Sequence, residues 1–389
     1  MKSQKSRRVN SLYALIQALY WMSYALMFNY ASLYLQSKGF GDGRIGLVLG
    51  ATYLLSALLQ PAFAKLVNRS GLRLNVAMSG VYLLTTLLSL TLWLAPLRGG
   101  LLSVVMIAAF TLHSAMQPSL NSLYQGFEIS GIAVNFGLAR GIGSFCYALI
   151  ALFMGQLLSR VAPNILPAFY MTGQLLLALC LILFRAPDYR RGASDKSSAY
   201  RDIIRAHPGF VLFLLSVACL GIAHIFIDNF MLQILQSMGA GSGSLGIAIA
   251  IGAFTELPAM ALYARMSRRV GNRRILRVMS CVWLVKDVLT LLARHPALIY
   301  LAALLQFFSF AVYVPAAVEY ISVTLPKADF LAGQSLQGSA WTLGSVAATF
   351  LGGQLIDALG IRGALAAIQF FAVAGVVLMM LCGAKSKKA

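Results

Sequence analysis

Long apolar runs alternate with short polar segments along the whole chain. Twelve runs are read, at 11–35, 44–65, 75–96, 100–124, 137–158, 166–184, 208–236, 244–264, 278–293, 298–323, 335–356 and 363–383. Each is about long enough to cross ~30 Å of hydrocarbon. In lipid a spanning segment must satisfy its own backbone hydrogen bonds, which the helix does. The pattern therefore predicts an all-α membrane protein of twelve transmembrane helices. The longest hydrophilic stretch, 185–207 (RAPDYRRGASDKSSAYRDIIRAH), falls between runs six and seven. It predicts two six-helix bundles, 1–184 and 208–389, joined by a cytoplasmic linker.

Composition excludes a soluble fold: 59% of the 389 residues are hydrophobic and only 11% charged, against about a quarter charged in soluble domains. The net charge of +20 is explained by where the 31 basic residues lie. With the N-terminus inside, 23 fall in cytoplasmic segments and six in outer ones; Arg140 and Lys286 lie inside runs. That asymmetry predicts both termini in the cytoplasm and attraction to membrane lipid, with no nucleic-acid partner. The expected location is the cytoplasmic (inner) membrane, and the expected state a monomer. MKSQKSRR before an apolar run is similar to a signal peptide. The run is about 25 residues and lacks a small-residue cleavage site, so it is expected to stay as the first helix. All five cysteines lie in runs, with no CxxC pair. No metal site, cofactor or enzyme motif is read: Walker loop, HExxH and nucleophile elbow are all missing.

An internal repeat supports two related halves. AKLVNRSGLRL, with Gly71 and Arg73, is answered 200 residues later by RMSRRVGNRRIL, with Gly271 and Arg273. Gly143-Ser144 and Gly155-Gln156 are answered by Gly344-Ser345 and Gly353-Gln354, and Pro118 by Pro315. Parallel six-helix repeats are the architecture of the major facilitator superfamily.

At these residues the chain resembles that superfamily. Ala64-Lys-Leu-Val-Asn68-Arg69-Ser-Gly71-Leu-Arg73 is similar to its loop motif GxxxD[RK]xGxR, with Ala64 and Asn68 in place of the Gly and Asp. The resemblance implies a conformational role for Asn68, Arg69, Gly71 and Arg73, with a latch weakened by the missing Asp. Phe136-Gly137-Leu-Ala-Arg140-Gly-Ile-Gly143-Ser144 is similar to FGxARxxG of lactose permease and to YGxxRxxGS of the phenylpropionate-permease-like and nucleoside:proton symporters. Glu256-Leu-Pro258 resembles the ExP of the second group. Asn121 and Trp341 stand where lactose permease keeps an acid and a basic residue, which argues against a galactoside held in the same way. The implied fold is two pseudo-symmetric six-helix bundles around a central cavity. The implied function is alternating-access transport of a small organic solute (sugar, nucleoside or aromatic acid class), with proton symport. An exporter of amphipathic compounds and a non-transporting sensor or lipid-interacting protein remain the rivals.

Six ionisable residues inside apolar runs are the candidate site, since each is costly in a bilayer. Arg140 is read as a substrate contact, or else as a snorkelling arginine. Asn29, Tyr30, Gln117 and Asn121 could bind substrate or bond neighbouring helices. Asp228 is the chief proton site, with Lys286 as its ion-pair partner. Glu256 is a proton carrier or a structural group beside the kink at Pro258, and Glu319 a coupling acid or an interfacial residue. Asp287 points about 100° away from Lys286 on a helix and is left undecided. His113 and His224 are read as packing histidines rather than proton relays.

Overall fold

Helices form where the apolar runs predict them and overshoot most of them, because polar residues continue a helix beyond the hydrocarbon. The computed structural model describes residues 2–184 and 200–382. The chain divides into two compact units, Met1–Arg191 and Gly192–Ala389.

The first unit contains α1 (Lys2–Phe28), α2 (Asp42–Ser70), α3 (Leu74–Leu94), α4 (Gly99–Phe127), α5 (Phe136–Leu158) and α6 (Leu166–Leu183). A break at Tyr30 separates α1 from a short continuation, Ala31–Ser37. Within α4 the helix breaks at Met116, just before Gln117 and Pro118. Pro118 lacks the N–H that would bond back into the preceding turn.

The second unit contains α7 (Pro208–Asn229), α8 (Ser242–Val270), α9 (Asn272–Leu292), α10 (Pro296–Thr324) and α11 (Phe330–Leu381). Among the described residues, ten helical runs are long and apolar enough to cross a membrane. The 21-residue α9 is as long as α3 but carries Arg273, Arg274, Arg277, Lys286 and Asp287, which keep it out of that count. The 52-residue α11 turns at Gly360 (φ 68°); at 1.5 Å per residue it has the length for two crossings. The structure thus accommodates the twelve expected spans. Of the expected linker, 185–199 lie outside the described residues. Tyr200–Ala206 is helical, and Ile203 joins the core of the second unit.

One boundary is corrected. The 64–73 motif is expected as a loop, yet α2 runs on to Ser70 and only 71–73 leave the helix. Gly71, with φ 68°, ends it in the left-handed conformation that glycine adopts without a Cβ clash. Gly271 ends α8 with φ 84°.

The repeat is visible in the elements. Helices α2 and α8 have 29 residues each and begin 200 apart. Within their units, α1 packs most extensively on α5, and α7 on α11. Both pairings rest on a glycine. A Cβ on Gly143 would sit 2.7 Å from Trp21 Cδ1 and 3.2 Å from the Gln17 carbonyl on α1. One on Gly344 would sit 2.7 Å from the Ala218 carbonyl on α7.

Each unit has its own aromatic-rich core, around Tyr13, Tyr20, Tyr82 and Phe184 in the first and Phe210, Phe213, Trp283 and Tyr313 in the second. Leu58, Leu87, Leu94, Leu183 and Phe370 are instead 60–72% exposed. Large apolar side chains turned outward on this scale suit a lipid solvent.

Candidate functional site

In the first unit the polar groups gather where α1, α4 and α5 meet. Gln17 is wholly buried, and its amide donates to Tyr13 OH (3.0 Å) and to Asn121 Oδ1 (3.2 Å). One turn on, Trp21 Nε1 donates to Gln17 Oε1 (3.2 Å). The Arg140 guanidinium lies over the Trp21 ring, 3.9 Å from its centroid, and donates to Ser144 Oγ at 2.6 Å. Arg140 is only half-buried. The result is a cation on an aromatic floor, oriented by its own helix and by α1. An indole face attracts a guanidinium through its quadrupole.

The other candidates of this half stand apart from that cluster. Asn29 Oδ1 accepts from Tyr147 OH at 2.9 Å, farther along the α1–α5 seam. Tyr30 is wholly buried and donates to the Ala151 carbonyl of α5, so its hydroxyl ties two helices together. Gln117 makes no side-chain hydrogen bond among the described residues and lies at the break in α4. His113 packs: it stacks on Tyr20 (4.5 Å) and bonds Gln174 through Nδ1 (3.0 Å). Asn68, Arg69, Gly71 and Arg73 are exposed at the end of α2.

The second unit holds a chain of polar groups inside an aromatic box. Lys286 Nζ donates to Gln306 Oε1 (2.6 Å) and approaches His224 Nδ1 (3.5 Å). His224 Nε2 lies 3.3 Å from Asp228 Oδ2. An ammonium only donates, so Nδ1 is the accepting nitrogen and the ring proton sits on Nε2, facing Asp228. This corrects the expected pairing: Lys286 and Asp228 form no direct ion pair, and His224 stands between them. It also gives His224 more than a packing role. Asp228 reaches outward from the chain, with 48% of its side chain exposed. Around His224 stand Phe310 (stacked, 4.9 Å), Trp283 (5.1 Å, edge-on) and Trp341 (5.8 Å). Tyr313 stacks on Trp341 at 5.7 Å and accepts from Gln337.

Asp287 makes no hydrogen bond to this chain of groups. It is wholly buried, and neither carboxylate oxygen has a hydrogen-bond partner among the described residues. Glu319 belongs to another cluster, where α8 ends. It accepts from Tyr263 OH at 2.5 Å and from Ser267 Oγ at 2.8 Å. The same hydroxyl lies 2.9 Å from Asn272 Oδ1, and the Asn272 amide donates to the Ala316 carbonyl. Glu319 thereby ties α10 to α8. Glu256 is half-buried on α8, two residues before Pro258.

Sequence reasoning missed Gln17, Trp21 and Gln306. A signal was present, since a glutamine in an apolar run is as anomalous as a charge, only cheaper. The Trp21–Arg140 pairing had no local signature, because the two residues meet only through the packing of α1 on α5.

Comparison with known proteins is consistent with this architecture. Residues 13–367 match the model of the MFS_1-like family. An uncharacterized transporter, YwbF, of Bacillus subtilis (strain 168) is 22% identical over 246 residues, 62% of this chain; the chain spans 60% of that relative's length. A probable 3-phenylpropionic acid transporter of Escherichia coli (strain K12) is 25% identical over 309 residues, covering 78% of this chain and 79% of the relative. Among solved structures, the nucleoside transporter NupG superposes with a TM-score of 0.79 at 12% identity, covering 98% of this chain and all of that one. A bacterial homolog of the human lysosomal transporter Spinster gives 0.72 at 15% identity, covering 97% and 96%. At these identities the structures speak for the fold alone, while the family match spans nearly the whole sequence. The chain belongs to the MFS_1-like family and is an integral membrane protein of the major facilitator transporter class.

Proposed function

We propose that this protein is a secondary active transporter that moves a small organic solute by alternating access, in symport with protons. The solute class favoured is an aromatic carboxylate. The observation that carries this reading is the Arg140 guanidinium laid on Trp21. A cation beside an aromatic face suits a ligand with a carboxylate at one end and a ring at the other. The name of the E. coli relative, a probable 3-phenylpropionic acid transporter, supports the same class. Asn121 and Gln17 add neutral hydrogen bonds beside Arg140; Asn29, Tyr30 and Gln117, which stand apart from that cluster, serve as helix ties or further contacts.

Coupling is assigned to the second unit. Asp228, at the exposed end of the Lys286–His224–Asp228 chain, takes the proton. Cancelling its charge removes the partner toward which His224 points, and so shifts the balance between the alternating states. Glu256 is the alternate acid. Glu319, tied to α8 by three hydroxyl contacts, is assigned to holding helices together.

The test is uptake of labelled 3-phenylpropionate, uridine and lactose into proteoliposomes under an imposed pH gradient. Uphill accumulation of 3-phenylpropionate alone, collapsed by a protonophore, is the expected result. Solute extrusion driven by the same gradient would favour the second reading, an exporter of amphipathic compounds, for which the aromatic box around His224 is the supporting observation. Binding without counterflow of any solute would refute transport.

A further inference from the structure

The outer surface of the second unit contains a groove that the transport reading does not use. It has a volume of about 330 Å³ and is lined by Val278, Cys281 and Val285 of α9, Leu305 of α10, Met380 of α11 and, at one end, Arg277. Arg277 to Val285 spans eight residues of helix, roughly 12 Å. Val278 and Val285 are more than half exposed, and Cys281 is exposed as well. The groove is thus an apolar channel along the helix, bounded at its basic end by the aliphatic stem of Arg277.

The basic end carries more than one charge. Arg273 lies one turn before Arg277 on the same face, and the charges of both bear on Cys382 at the end of α11. Neither arginine has an acidic partner among the described residues. Arg277 lies five residues inside α9, about 7–8 Å from its start. From there a long side chain extends to the membrane interface. Two arginines at interfacial depth, without a protein counter-ion and above an apolar channel, match one kind of molecule: a phosphodiester headgroup with an acyl chain below it.

We propose that this groove is a binding site for an anionic phospholipid, with its phosphate on Arg277 and Arg273 and one acyl chain along Val278, Cys281 and Val285. The guanidinium fork pairs well with phosphate oxygens, and each basic residue near the membrane surface favours an anionic lipid by about fivefold. The assignment is independent of the solute and of proton coupling.

Cys281, in the wall of the groove, supplies the probe. The full-length protein, with its other four cysteines changed to alanine, is placed in nanodiscs of phosphatidylcholine or phosphatidylglycerol with identical acyl chains. Labelling by N-ethylmaleimide is then timed. Labelling at least about fivefold slower in phosphatidylglycerol, with the difference lost in Arg277→Gln, is expected. Equal rates in the two lipids overturn the proposal, because acyl chains alone then fill the groove. A slowing that survives Arg277→Gln overturns it too, because it then reports only the surface charge of the disc. Native mass spectrometry of the protein with all its cysteines, released from mixed discs, gives a second measurement. A retained phosphatidylglycerol adduct that Arg277→Gln loses supports the site, and adducts equal in both proteins overturn it.

Discussion

The Arg140 guanidinium lies over the Trp21 indole, 3.9 Å from the ring centroid, and the two residues stand 119 positions apart in sequence. This contact orients a cation set well inside an apolar run of the first half. Lysine keeps the charge but not the planar stack or the fork of donors. Arg140→Lys is therefore expected to lower uptake at subsaturating solute by about tenfold, and Trp21→Leu by a similar factor. Because each change removes the same pairing, the double variant should be little worse than Arg140→Lys alone. Initial rates for the four proteins give the coupling directly; strictly multiplicative losses would show that the two residues act separately.

His224 links Lys286 to Asp228 through opposite ring nitrogens. Phenylalanine keeps the stack on Phe310 and the edge contact with Trp283 but removes both nitrogens. His224→Phe should fold normally, sustain exchange of solute across the membrane and lose accumulation driven by a pH gradient. Asp228→Asn should do the same, since it ends the chain at its exposed side. Uphill uptake at the normal rate in both variants would remove this chain from the coupling mechanism.

The two halves differ in how much of each site was legible in the sequence. The all-helical membrane fold, the repeat and the embedded charges follow from hydropathy and spacing, because lipid penalises every polar residue strongly enough to leave a mark on the pattern. The Asp228–Lys286 pairing was misjudged for a physical reason. Opposite charges on neighbouring helices suggest contact, but a histidine one turn from Asp228 fills the gap and costs less than a direct buried pair. Glu319 lies inside an apolar run, as Asp228 does, and only the fold reveals that Tyr263 and Ser267 already hold it. Helix ends were misplaced at 64–70 because charge marks where the hydrocarbon stops, whereas a left-handed Gly71 marks where the helix stops.

Asp287 is 0% exposed, with both carboxylate oxygens unpartnered among the described residues. An orphaned buried acceptor costs about 1–3 kcal/mol, so replacing the group with an apolar one of similar size should stabilise the protein. Asp287→Val is expected to raise the thermal midpoint in detergent by several degrees, at about 2–4 °C per kcal/mol. A stability gain accompanied by loss of pH-driven uptake would mark Asp287 as a group retained for function. A lower midpoint would contradict an unpartnered Asp287 carboxylate.

Glu319 accepts from Tyr263 and Ser267 of α8. Removing the carboxylate leaves the Ser267 hydroxyl without its acceptor and turns the Tyr263 proton to Asn272 Oδ1. Glu319→Ala is expected to destabilise the protein by roughly 1–3 kcal/mol. Protein that survives reconstitution should still couple solute to protons with the wild-type ratio. Loss of coupling at unchanged stability would instead reassign Glu319 to the proton path.

Two glycines of the same motif should respond in opposite ways. A Cβ on Gly143 meets Trp21 Cδ1 at 2.7 Å and the Gln17 carbonyl at 3.2 Å, whereas one on Gly137 meets only Asn135 Oδ1 at 3.7 Å. Backbone and an indole held by Gln17 cannot yield cheaply, so Gly143→Ala forces α5 away from α1 and tilts the floor beneath Arg140. The expected cost is about 1–3 kcal/mol of stability, together with loss of solute uptake. Gly344→Ala should behave like Gly143→Ala, since its Cβ would meet the Ala218 carbonyl of α7 at 2.7 Å. Gly137→Ala should gain slightly in stability, because alanine is favoured over glycine in a helix by up to about 1 kcal/mol, and should transport normally. Thermal melts and uptake on the three variants decide the matter. If Gly137→Ala proved as damaging as Gly143→Ala, close packing of α1 on α5 could not be the reason this motif carries its glycines.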